Sequence, residues 1–224
     1  MSRKTLFIVL GLAVLAALAG LGWYLTGASS TSAATAQGGA GWVISPKDRT
    51  MGNKNAKVVL IEYAAPVCPH CAHFNEAFFP AIKKDFIDTG KVFYVFRVYP
   101  IRPGDGPAEK LASCLPEDKY FAFIDLLFKN QPKWDADEYP GADTHSGLLL
   151  MARIAGMSAD QAEQCMASKA EDERINKVAS EGQARYNIPS TPTFIVNGVV
   201  YSELPFDSLS KLLDTELAKQ HKAG

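Results

Sequence analysis

Two cysteines, Cys68 and Cys71, sit three positions apart in the stretch VCPHCAHF (67–74), with Pro69 and His70 between them. Such a pair serves thiol–disulfide exchange, metal binding, haem attachment or a structural bridge. Haem attachment needs a histidine directly after the second cysteine, where Ala72 stands. Zinc takes four ligands, commonly as two paired motifs, and the remaining cysteines, Cys114 and Cys165, stand alone. His70 and His73 keep a copper or zinc reading open, as does an inert bridge. By helical spacing His73 falls away from the face that carries the two cysteines, which fits a surface histidine.

Exchange chemistry fits the local pattern best. Two sulfurs at a helix start close a small ring. At that position unpaired backbone N–H groups and the helix dipole favour an anion. Pro69 suits the first helical position because it has no N–H to leave unpaired. His70 adds a donor, and a positive charge when protonated. The thiolate is both attacking group and leaving group, so its stability tunes both steps. Stabilising the Cys68 thiolate stabilises the reduced protein, and each pKa unit below ambient pH moves the couple about 30 mV towards a stronger oxidant. Cys71, one turn further in, lacks that help. Cys68 is therefore the expected exposed attacking thiol and Cys71 its resolving partner.

The surrounding segments must position this pair. KVVLIEYAA (57–65) reads as a buried strand, a continuous apolar run with one misfit, Glu62. As a misfit it is either a buried acid or an edge-strand residue facing solvent. A helical pattern covers 69–88, with Phe74, Phe78, Ile82 and Phe86 at four-residue steps and a kink expected at Pro80. KVFYVFRVYP (91–100) is a second strand, so strand–helix–strand predicts a parallel pair. Residues 104–186 carry helical spacing throughout, with Ser158 and Gln161 in a capping-box pattern and Gly156 as a stop. TFIV (193–196) and VVYS (199–202) flank Asn197-Gly198 as a hairpin. A final amphipathic helix over 205–220 turns Leu209, Leu212, Leu213 and Leu217 inward. The helical block thus lies between two halves of one small sheet.

The 224-residue chain is 47% hydrophobic, with formal net charge −1. A packed core is within reach, and no basic stripe points to nucleic acid. Residues 1–26 differ from the rest: Arg3 and Lys4 precede Leu6–Leu25, a stretch without charge. About 20 apolar residues suit a membrane anchor, with Trp23 and Tyr24 at the outer interface and the basic residues inside. Ala34-Thr35-Ala36 offers the alternative of a cleaved signal peptide. Residues 27–41 form a small-residue linker. Either reading exports residues 42–224 to an oxidising compartment that permits disulfides. Proximity pairs Cys68 with Cys71 and leaves Cys114 and Cys165, as a second bridge or as separate buried thiols.

IEYAAPVCPHC, the aromatic helix after it and PSTPTFIVNG together resemble the thioredoxin superfamily. They are most similar to DsbA-like thiol:disulfide oxidoreductases of the bacterial envelope. The resemblance covers roughly residues 43–220 and rests on Cys-Pro-His-Cys, where thioredoxins usually carry Gly-Pro. It implies an α/β thioredoxin fold with an inserted all-helical domain: first half 42–103, helical insertion 104–186, second half 187–224. It implies a cis Pro192, with Thr191 offering its backbone to a bound substrate chain. Glu62 then matches the family's buried acid, shuttling a proton to and from Cys71, with Cys68, Cys71, His70, Pro69 and Glu62 as the catalytic set. A Cys114–Cys165 disulfide would match one branch, chiefly alphaproteobacterial. The activity implied is oxidation of newly exported, unfolded proteins in the periplasm, with re-oxidation by a DsbB-like quinone-linked membrane protein and no metal or other cofactor. An isomerase or reductase is the alternative, although isomerases of this type usually add a dimerisation domain for which residues 27–56 are too short. Ala65-Pro66-Val67 departs from the aromatic residues many relatives carry before the first cysteine, which bears on the shape of the substrate groove.

Overall fold

The structure, a computed structural model, describes residues 42–202 and 204–222. The signal or anchor reading of 1–26, the tether at 6–25 and the linker at 27–41 lie outside the described residues. Among the described residues, no helix is long and apolar enough to cross a membrane.

Strand β1 (Arg49–Met51) is followed by β2 (Val58–Ala64) and β3 (Val92–Val98). Between β2 and β3 run α1 (Pro69–Ala77) and α2 (Phe79–Ile82), the latter continued by a wider turn over Lys83–Ile87. The helical block comprises α3 (Asp105–Cys114), α4 (Glu117–Lys129), α5 (Gln131–Trp134), α6 (Thr144–Ile154), α7 (Ala159–Met166) and α8 (Lys169–Tyr186). The chain then forms β4 (Thr193–Val196), β5 (Val199–Tyr201) and, after a single 3₁₀ turn at Phe206–Ser208, α9 (Leu209–Lys222).

The strands lie in the order β1-β3-β2-β4-β5. β2 and β3 are parallel, as the strand–helix–strand order requires, with Glu62 level with Phe96. The other neighbours run antiparallel. β2 is buried along its whole length, which explains its unbroken apolar run. In the hairpin, Asn197 (φ 48°) and Gly198 (φ 87°) both adopt the left-handed conformation. Two successive positive φ values match the twist of the flanking strands, and Asn-Gly tolerates them. Strand β1 is a finding the sequence does not announce: three residues are too few to display a period.

The sheet has two covered faces. Val58, Leu60, Tyr94 and Phe96 share one core with Phe74, Leu111, Tyr120, Phe123 and Trp134. Sheet and helical block are thus continuous on that side. Leu209 and Leu213 of α9 are buried in it, with Leu212 and Leu217 packed at its edge. Val59, Ile61, Tyr63, Phe93 and Val95 turn to the opposite face and pack with Tyr186, Ile188 and Val178. Helix α8 approaches so closely there that a Cβ on Gly182 would come within 2.6 Å of the Tyr63 ring. Side chains alternate along a strand, so Glu62 follows Val58 and Leu60 into the larger core.

The 69–88 helix is interrupted as expected near Pro80, but the break falls at Phe78 (φ −121°, ψ −39°). Pro80 then occupies the first turn of α2, where its missing N–H costs nothing.

Candidate active site

The site turn leaves the end of β2 and enters α1 at Cys68, whose extended backbone (φ −79°, ψ 118°) caps the helix. Its sulfur accepts a hydrogen bond from the Cys71 backbone N–H at 3.4 Å. Pro69 stands in the first turn, and Pro69 and His70 are both exposed. The Cys68 thiol is lowered from 9.0 to about 6. The contact with Cys71 is the main cause, burial works against it, and Thr191 and the backbone N–H groups of Cys71 and His70 reinforce the lowering. Cys71 is pushed well above its ordinary value, chiefly by burial and then by its bond to Cys68. The two sulfurs therefore differ as the helix-start argument requires.

One expectation is corrected. Cys68 is not exposed: it is 4% accessible, against 0% for Cys71. The Thr191 carbonyl lies 3.2 Å from its sulfur, and the Thr191–Pro192 peptide is cis. The 190–192 turn therefore lies over the thiol, and Cys68 is the more accessible of two buried sulfurs. This brings residues 68 and 191, distant in the chain, into direct contact.

Glu62 is buried, 2% accessible, and does not face solvent. Its carboxyl is raised from 4.5 to about 8, mainly by burial. A hydrogen bond from Tyr94 opposes this rise, and the Cys68 charge adds to it. The Tyr94 hydroxyl donates to Oε2 at 2.6 Å. Glu62 in turn is among the groups that raise Cys71. His73 is exposed, with its ring against Phe78 and Phe206 at 5.5 and 6.1 Å. Among the described residues no group of three or more His, Cys, Asp or Glu is arranged to hold a metal ion.

Three residues around the site escape sequence reasoning. Asp105, fully buried at the start of α3, accepts from the Val67 N–H at 2.9 Å, and also from Ile101 and Arg102. Burial raises its carboxyl to about 6, against the pull of those three N–H groups. Gln131 of α5 donates through Nε2 to the carbonyls of Pro66 (2.7 Å) and Cys68 (3.1 Å). The helical block thereby grips the turn that carries Cys68. Tyr94 is the third. A charged residue at the head of a helical segment signals Asp105 only as a cap, and nothing local marks Gln131 or Tyr94.

Cys114 and Cys165 are joined by a disulfide with Cα atoms 6.1 Å apart, tying the end of α3 to α7. Ion pairs tie α3 to α8 beside it. Lys110 donates to the Met166 carbonyl (2.7 Å) and pairs with Asp172 (2.6 Å). Arg174 pairs with Glu109, which also accepts from Tyr120.

A thioredoxin family model, described as Thioredoxin, matches residues 45–215. The chain belongs to this family. Within it, the chain is DsbA-like. It is similar to Wolbachia pipientis alpha-DsbA1, with 26% identity and a TM-score of 0.71 over 79% of this chain and 94% of that one. It is also similar to oxidised BdbD from Bacillus subtilis, with 25% identity and a TM-score of 0.65 over 76% of this chain and 93% of that one. A Rickettsia typhi protein carrying a provisional protein-disulfide oxidoreductase name is 31% identical over 80% of this chain. This chain spans 66% of that protein's length. Disulfide bond formation protein D of Bacillus subtilis is 28% identical over 75% of this chain and 76% of its own length.

Proposed function

We propose that the chain is an exported dithiol oxidase that introduces disulfides into newly translocated, unfolded proteins. The observation that carries this reading is the asymmetry of the two thiols, Cys68 lowered to about 6 and Cys71 raised, at the N-terminus of one helix. A substrate thiolate attacks Cys68 of the Cys68–Cys71 disulfide, and Cys71 leaves with the electron pair. Its high proton affinity calls for a proton at that moment. Glu62, largely protonated at neutral pH, is the donor in this reading. A second substrate thiolate then attacks the substrate sulfur of the mixed disulfide. The substrate leaves with a new disulfide, and Cys68 departs as a thiolate that its surroundings favour. The substrate loses two electrons and the enzyme disulfide gains them.

The position of the Thr191 carbonyl beside the Cys68 sulfur supports a docking role for the Thr191 backbone, which would pair with an extended substrate strand. His70 and Pro69, exposed between the cysteines, would contribute to the face that meets substrate. The charge-free Leu6–Leu25 stretch after Arg3 and Lys4 supports export to the periplasm, with residues 1–26 as anchor or cleaved signal. A DsbB-like quinone-linked membrane protein would restore the disulfide. Residues 42–103 and 187–224 are read as the thioredoxin halves and 104–186 as the insertion.

The test is oxidation of a dithiol peptide by the purified, oxidised protein. Stoichiometric peptide oxidation that vanishes in Cys68→Ser is the expected outcome. Efficient insulin reduction without peptide oxidation would instead assign a reductase or isomerase.

A further inference from the structure

Glu62 is held by one side chain. Among the described residues its carboxyl makes a single side-chain hydrogen bond, from the Tyr94 hydroxyl to Oε2 at 2.6 Å. Leu60 is level with Tyr94 across the parallel β2–β3 pair, and Glu62 is level with Phe96. Glu62 and Tyr94 are therefore diagonal neighbours on one face, within reach of a long side chain. The Tyr94 ring is fixed by Phe79 at 5.0 Å and Phe121 at 6.1 Å, and the residue is 2% accessible. A phenol carries one proton and here directs it at one carboxyl oxygen.

We propose that Tyr94 is a positioning residue for the exchange reaction: by occupying Oε2 of Glu62 it leaves Oε1 as the oxygen that trades a proton with Cys71. This rests on the reading of Glu62 as proton donor to Cys71. A bond donated to a carboxylate favours the charged form, so Tyr94 also opposes the effect of burial and brings Glu62 closer to neutral pH. Without it the acid would hold its proton too firmly to exchange it. The ionisable groups facing Glu62 are few. Helix α1 presents Cys71 and its cap presents Cys68, β3 presents Tyr94, and α4 presents Tyr120 behind Tyr94. From β4 the level residue is Phe194, which carries no charge. In the oxidative half-reaction the Cys68–Cys71 bond breaks, a bond forms between Cys68 and the substrate sulfur, and the proton on Oε1 passes to the Cys71 thiolate. In re-oxidation the same proton returns.

Tyr94→Phe removes the hydroxyl and keeps the ring between Phe79 and Phe121. The full-length oxidised protein is mixed with a dithiol peptide and the rate is followed from pH 5 to 10. The inflection belonging to Glu62, identified by its loss in Glu62→Gln, should move up by about 1–2 pH units in Tyr94→Phe, the size of one hydrogen bond to a charged group. Tyr94→Phe should change nothing further in the Glu62→Gln background. Carbon-13 titration of the Glu62 carboxyl in the reduced protein reads the same shift without relying on turnover. Fluorotyrosine at position 94, a stronger donor, should move the inflection down, so the proposal remains testable should the phenylalanine variant fold poorly. An unmoved inflection, or a change of rate in the Glu62→Gln background equal to that in the wild type, overturns the proposal. An inflection that survives Glu62→Gln removes the Glu62 reading itself, and the role of Tyr94 with it.

Discussion

The two cysteine pairs of this chain are held in opposite ways. Cys68 and Cys71 lie three residues apart at a helix start, where one sulfur accepts a backbone N–H and sits above a buried acid. Cys114 and Cys165 lie 51 residues apart and join α3 to α7, while Lys110–Asp172 and Arg174–Glu109 tie α3 to the neighbouring α8. In the first pair the environment separates the two sulfurs in proton affinity. In the second, the Lys110 bond to the Met166 carbonyl links the same two helices independently of the bridge. Reactivity follows from what the neighbours do to the thiolate, and bracing follows from how much chain the bridge encloses.

Breaking each pair should therefore hurt a different quantity. Cys68→Ser should reduce peptide oxidation to background, the largest effect, with little change in thermal unfolding of the reduced protein below about pH 6, where the Cys68 thiolate contributes nothing. Removing both Cys114 and Cys165 should cost about 2–4 kcal/mol in denaturant unfolding. It should leave the rate at Cys68 within about twofold, since the active turn is gripped by Asp105 and Gln131 instead. An equal loss of rate in the two variants would erase the contrast.

Smaller effects sharpen it. In the reduced protein Glu62 is raised from 4.5 to about 8. The folded state therefore binds the extra proton between those values, and stability contributed by that proton falls as pH rises from about 4.5 to about 8. Glu62→Gln should gain melting temperature over wild type progressively across that window, then run parallel above it. Cys68 has the opposite sign. Its value is depressed from 9.0 to about 6, so its contribution is complete above 9.0 and is lost as pH falls towards 6. The extra stability of the reduced over the oxidised form should shrink across that range, and thiolate absorbance should titrate near 6. Smallest of all, Gln131→Leu should slow exchange several-fold by loosening the carbonyls of Pro66 and Cys68, on the order of 1 kcal/mol in the barrier.

Local chemistry explains why some of this was legible in the chain. The buried run at 58–64, the Asn197-Gly198 hairpin and the Ser158–Gln161 capping box each depend on residues a few positions apart, and each forms. The cysteine pair belongs to the same class. What stayed hidden depends on distance along the chain. Val67 meets Asp105 across 38 positions, Pro66 meets Gln131 across 65, and Glu62 meets Tyr94 across 32. No period or spacing encodes such contacts. The burial of Cys68 is hidden for the same reason, because its cover comes from Thr191, 123 positions away.

The clasp of Gln131 on Pro66 and Cys68 has a practical consequence. Grafting Cys-Pro-His-Cys onto a bare sheet-and-helix scaffold would transplant the letters without the amide that steadies them. Engineers wishing to borrow this chemistry must carry along the α3–α5 wall that supplies Asp105 and Gln131, because the turn at 66–68 is shaped from outside as much as by its own residues.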